Sequence, residues 1–178
     1  DAVVHCGPAS DSAWETSTEA NITSEVADDA SEWASGSRRQ ECHLTFLSSD
    51  SVFTGPWMFH DEESQAFCPS PGARIIRRAE KQVVEQCPRA LVIRSNVFGW
   101  SPVGAATGWI DQILMDLDRR SLQGYDYIRH ATPILATDLA DIVLRAIEED
   151  LSGLHHVAGA ERVIPLQFAQ RLADHFEL

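Results

Sequence analysis

Three short apolar runs, each followed by a stretch with one-sided helical spacing, constrain this chain more than any other feature. Ala2-Val3-Val4-His5-Cys6, residues 42–48 with Leu44, Phe46 and Leu47, and Ala90-Leu91-Val92-Ile93-Arg94 read as buried strands of the parallel type. Between the first two, Ile22, Val26, Ala30 and Trp33 mark a helix face, with Glu15, Glu19, Glu25, Asp28 and Asp29 mostly off it. Gly36-Ser37-Arg38-Arg39 closes that helix, its basic residues where the helix dipole favours them. Between the second and third, Ile76, Ala79 or Glu80, Val83 and Cys87 mark another, with Arg77, Arg78, Glu80 and Lys81 supplying exposed charge. Strands alternating with helices imply a parallel sheet with crossover helices on both faces, an α/β fold.

The rest of the chain continues the pattern. Ala106, Ile110, Ile113, Leu114 and Leu117 predict a helix, and Gly124 to Ile128 an extended or turn segment. Thr137 is the expected N-cap of a helix burying Leu139, Ile142, Val143 and Ile147. A strand over Leu154-His155-His156-Val157 precedes a last helix with Pro165 near its start and Phe168, Leu172 and Phe176 on one side. Adjacent strand residues point to opposite faces, so His155 and His156 predict one core-facing and one exposed ring rather than a metal site.

With 178 residues, one globular unit is expected. The net charge of -13 argues against nucleic-acid and anionic-membrane partners, both of which need clustered Lys and Arg. No apolar run has the length of a membrane span and no export leader opens the chain, so a cytoplasmic protein is expected. Cys6, Cys42, Cys68 and Cys87 have no metal-binding spacing; Cys6 and Cys42, in or beside apolar runs, read as buried reduced thiols. A strand at residue 1 with no initiating Met suggests that the front of a larger protein is missing.

The second strand ends abruptly in Ser48-Ser49-Asp50-Ser51-Val52-Phe53-Thr54-Gly55, where hydroxyls and a carboxylate meet the carboxyl end of the sheet, the usual ligand position in open α/β folds. A long segment from Phe53 to Pro71, punctuated by Gly55-Pro56-Trp57 and containing His60, follows; loops of that length tend to be functional, although His60 itself reads as an exposed loop residue.

This stretch resembles the S-T-D-Y-V-F-x-G signature of the dTDP-4-dehydrorhamnose reductase group of extended short-chain dehydrogenases/reductases, the family with the RmlD-like substrate-binding domain. Further matches fall in the family's order: Asp1 to His5, Asn21, Glu63 with Pro69, Ala90 to Arg94 with Val97-Phe98-Gly99, Pro133, Thr137 to Ala140, and Gly153 to Gly159. The resemblance implies a Rossmann-like parallel sheet, the C-terminal part of an NAD(P)-binding fold, as one partial domain over residues 1–178, with substrate-binding segments at about 53–72 and 99–135. It also implies a sugar nucleotide or other small molecule as ligand, and NAD(P) as cofactor. Cofactor contacts are implied at Gly7, Pro8, Ala9, Ser48, Arg77 and Ser95, and substrate contacts at Phe53, Glu63 and Asn96.

Family members reduce a keto sugar nucleotide with a Ser or Thr, a Tyr and a Lys. Ser49 matches the first, but the Tyr position falls on Ala73 and the Lys position on Arg77, and Tyr125 and Tyr127 lie in another segment. Ala has no proton to give, and a guanidinium fork does not reproduce an ammonium. The glycine-rich dinucleotide turn is also absent; Gly99, Gly104 and Gly108 have the wrong spacing. The expectation is a catalytically degenerate relative, with binding of cofactor by this chain alone doubtful. The alternative is a non-enzymatic binding or regulatory subunit with a protein partner, like the regulatory subunit of methionine adenosyltransferase, which keeps the same fold.

Overall fold

The computed structural model describes residues 1–14, 22–54, 60–101, 108–121 and 129–178. Four strands form one parallel sheet: β1 (Ala2–His5), β2 (His43–Ser49), β3 (Leu91–Ser95) and, last in sequence, β6 (Gly153–His156), in the order β1-β2-β3-β6. Two two-residue strands, β4 (Val97–Phe98) and β5 (Ile134–Leu135), pair parallel beside it. Five α-helices are described: α1 (Ser24–Arg39), α2 (Pro71–Gln86), α3 (Trp109–Asp118), α4 (Ala136–Glu148) and α5 (Pro165–Phe176). Asn21, Glu15, Glu19, Gly55, Pro56, Trp57, Gly104, Ala106, Tyr125 and Tyr127, used in the sequence reading, lie outside the described residues.

The two faces of the sheet are covered as the alternation requires. Leu44, Phe46 and Val92 point toward α1 and α2, where Val26, Ala30, Ile76, Ala79 and Val83 complete the main core. Leu91 and Ile93 point the other way, onto Leu139, Val143 and Ala146 of α4. Helix α2 starts cleanly because Ser70 accepts the Ala73 N–H at 3.2 Å and Pro71 occupies the first turn. Helices α3 and α5 pack on each other through Ile113, Leu117 and Ala169.

Several expectations are corrected. Trp33 is 46% exposed; the inward face of α1 is Ala27, Ala30, Ala34 and Ser37, small side chains that let it lie close against α2, and the indole is left at the rim beside His5. Glu80, expected among the exposed charges, is buried because it pairs with Arg94 of β3. Thr137 is not an N-cap: β5 runs directly into α4, Leu135 is the capping residue, and Thr137 lies within the first turn. Ile142 faces outward, and Ala146 takes the inward place one turn on from Val143. Cys6 is exposed where the chain leaves β1 and Cys42 is half-buried; all four thiols are free.

Candidate functional site

Two polar clusters occupy the carboxyl end of β2 and β3, and the alternation of side chains at Ser48 and Ser49 separates them. Ser48 is on the same face as Leu44 and Phe46, toward α2, and its Oγ donates to Glu80 Oε1 at 2.5 Å. Arg94 reaches the same carboxylate as a fork, Nε to Oε1 at 2.8 Å and Nη2 to Oε2 at 2.6 Å. Both side chains are nearly inaccessible, at 6% and 7% exposure, so the charges are desolvated together and paired together.

The second cluster is built on Asp50. Asn96 bridges it to the loop after β1: Nδ2 donates to Asp50 Oδ2 at 3.0 Å, and Ser12 Oγ donates to Asn96 Oδ1 at 2.9 Å. Ser12 Oγ also accepts the Trp14 N–H, at 3.1 Å. Burial pushes the Asp50 carboxyl up to about 6, against the opposing hydrogen bonds from Asn96, the Ala13 backbone and Ser49.

Ser49, the residue matched to the carbonyl-binding position, is fully enclosed. Its hydroxyl donates to Asp11 O at 2.7 Å and accepts the Ser51 N–H at 3.2 Å, the N-cap bond of a short 3-10 turn over Asp50–Val52. Its register partner Ser95 is buried beside it, with an Oγ that has no hydrogen-bond partner among the described residues. Ser48, Ser49, Ser95 and Asn96 are thus gathered at one end of the sheet.

Arg77 and Ala73 are carried by α2, which contacts the turn that follows Ser49. Ala73 is buried in the first turn of α2. One turn later, the Arg77 guanidinium carbon lies over Phe67 at 3.5 Å from the ring centroid, on the helix covering the face opposite to the one Ser49 takes. Of the first loop's residues, Ala9 is fully buried, and Gly7 is required by a neighbour: a Cβ there would stand 2.7 Å from the His5 ring. Pro8 opens the 3-10 turn Pro8–Ser10.

Phe53 and Glu63 take different roles. Phe53 sits inside an aromatic stack, parallel to His60 at 4.2 Å and to Phe67 at 5.8 Å, with His156 edge-on at 5.4 Å and the Arg94 guanidinium 5.0 Å from its centroid. Glu63 is exposed, and its carbonyl accepts from Gln65 Nε2. His60, expected to be an exposed loop residue, is half-buried in this stack and bonded through Nδ1 to Ser64 Oγ at 2.9 Å.

The histidine pair divides as alternation demands: His155 is exposed and His156 half-buried. The His156 N–H donates to Glu62 Oε1 at 2.7 Å, and its Nδ1 lies 3.2 Å from His60 O, tying the 60–67 segment to β6. Burial holds the His156 imidazole below its ordinary pKa. The His156 N–H, first among several causes, holds Glu62 below its own.

Sequence reasoning missed Asp50 as a centre, its partner Ser12, the Glu80 and Arg94 pair, and Phe67. The one usable signal was Glu80 itself, whose position on the apolar side of α2 fits burial as well as exposure.

A four-stranded parallel sheet with α1 and α2 on one face and α4 on the other, with polar side chains at the strands' carboxyl ends, is the arrangement of Rossmann-like dehydrogenases. The chain belongs to the RmlD substrate binding domain family, whose model matches residues 1–178. Among solved structures it is similar to dTDP-4-dehydrorhamnose reductase of Bacillus anthracis in complex with NADP. That match has a TM-score of 0.81 at 17% identity, over 98% of this chain and 62% of the other. The Yersinia enterocolitica dTDP-4-dehydrorhamnose reductase matches with a TM-score of 0.77 at 18% identity, over 99% of this chain and 63% of the other.

UDP-N-acetylglucosamine 4-epimerase of Methanobrevibacter ruminantium, in complex with UDP-N-acetylmuramic acid, matches with a TM-score of 0.69 at 18% identity, over 90% of this chain and 54% of the other. The chain spans about three-fifths of the length of the two reductases. No curated protein matches. Among the described residues no helix is long and apolar enough to cross a membrane.

Proposed function

We propose that this chain is part of a relative of the NAD(P)-dependent sugar-nucleotide reductases and epimerases in which the reductase chemistry has been lost. The carrying observation is Ala73: it holds the position the family resemblance gives to the proton-donating Tyr, it is buried in the first turn of α2, and it has nothing to donate. Ser49 supports the same reading, since its one hydroxyl proton is given to Asp11 O rather than offered to a substrate oxygen. Arg77 supports it too, being stacked on Phe67. A positioned general acid contributes about 10² to 10⁴ in rate, so its loss alone takes turnover down by that much.

On this reading a sugar nucleotide remains the ligand class, and residues 53–72 and 99–135 supply its contacts. The setting is cytoplasmic, and the isolated chain is expected to bind NAD(P)H weakly or not at all. The test is a chimera carrying the glycine-rich part of a family reductase before Asp1, assayed with a dTDP-4-keto sugar and NADPH. Turnover several orders below the parent reductase is expected, rising when Ala73→Tyr and Arg77→Lys are introduced. Robust turnover with Ala73 and Arg77 in place overturns the reading. If the double substitution restores nothing while the chimera still binds cofactor, the non-enzymatic binding-subunit reading takes its place.

A further inference from the structure

On the α1/α2 side of the sheet, away from the Asp50 cluster, a groove of about 390 Å³ opens between α2, the 60–67 segment and β6. Two guanidiniums line it, and their pairing is incomplete. Arg77 sits over the Phe67 ring and has no carboxylate or hydrogen-bond partner among the described residues. Arg94 gives Nε and Nη2 to Glu80, but its Nη1 is buried with no partner among the described residues, on a side chain only 6% exposed. A charged donor left unpaired in a buried setting is costly, and native structures normally satisfy it.

The same ring lies beneath both cations, since Arg94 Cζ is 5.8 Å from the Phe67 centroid. Val84, Val92 and Leu154 give the groove an aliphatic wall, and its two carboxylates, Glu80 and Glu85, each already face a cation, Arg94 and Lys81, so Arg77 is the cation left over among the described residues. Lys81 on its rim already faces Glu85 at 3.6 Å. Rigid guanidinium edges beside an apolar wall suit a group that is anionic at one end and carbon at the other.

We propose that this groove is a binding site for a small organic oxyanion, its carboxylate or phosphate taken by Arg77 beside the Arg94 guanidinium and its carbon body laid on Val84 and Leu154. The site lies on the α2 side of the sheet, apart from the Asp50 cluster, and does not depend on the reductase reading. General attraction of anions does not supply it, because the chain carries a net charge of -13.

The test is calorimetric titration of the 178-residue chain with succinate, with a phosphate monoester such as glycerol 3-phosphate, and with inorganic phosphate. Saturable binding in the millimolar range or tighter by either organic anion is expected, and which one binds identifies the head group. Arg77→Ala and Arg77→Gln, each checked for an unchanged far-UV spectrum and melting curve, should weaken it by about tenfold or more, the loss of one charge-assisted hydrogen bond. Arg171→Ala, which removes the same charge from exposed α5, should leave it unchanged. No saturation with any probe, equal binding of inorganic phosphate, or an equal loss in Arg171→Ala overturns the proposal.

Discussion

Glu80 and Arg94 meet through two parallel hydrogen bonds between α2 and β3, at 2.8 and 2.6 Å, with almost no solvent on either. Removing one partner strands the other's charge in the core. Glu80→Ala is therefore expected to cost about 3 to 5 kcal/mol in a urea unfolding curve. The double variant Glu80→Met, Arg94→Met, which leaves no charge behind, should recover a large part of that. Equal losses in both would show that the pair matters for its shape rather than its charge.

Asp50 gives the folded state a signature in pH. Its carboxyl is raised from 3.8 to about 6, so the fold prefers the protonated form. The stabilisation is complete below the unfolded value and is lost as pH rises through about 6, amounting at most to about 3 kcal/mol. Asp50→Asn should flatten this part of the stability profile between about pH 4 and 6. A profile unchanged by the substitution would mean the carboxyl is not enclosed as described.

His156 acts in the opposite sense. Burial lowers its pKa, so the neutral ring is favoured in the fold, and its contribution is present above the ordinary value of 6.5 and lost as pH falls below it. Hydrogen exchange in the 60–67 segment, corrected for intrinsic rates, should accelerate on acidification through that range. In His156→Phe the acceleration should disappear.

Gly159, matched at the sequence level as the end of a motif, has a plain steric reason. A Cβ there would stand 2.1 Å from Pro133 O, which is backbone and cannot rotate away, while the Gly159 N–H is bonded to Thr132 O at 2.9 Å. Gly159→Ala should destabilise the chain by about 2 kcal/mol, read from a denaturant midpoint. A melting curve identical to that of the parent would refute the contact.

Much of the layer order could be read from periodicity, because β2 and β3 are buried on both faces and leave continuous apolar runs, while α2 and α4 keep a clear stripe. Trp33 misled because a stripe at helical spacing ranks residues by hydrophobicity, whereas α1 needed small ones to approach α2. The site was less legible. Asn96 and Ser12 are 84 positions apart, and nothing local in either announces the other. Glu80 counts as surface charge until its partner on the next strand is known. β4 and β5, two residues each, carry too short a pattern for any period to show.

The bond from the His156 N–H to Glu62 also decides what the sheet can do at that border. β6 ends the strand order, and Gly153 and Val157 turn their N–H groups to β3, so the His156 N–H faces outward. A carboxylate already occupies it. A strand from another molecule would have to expel a negative charge before it could pair there, so this border resists growth of the sheet into an aggregate.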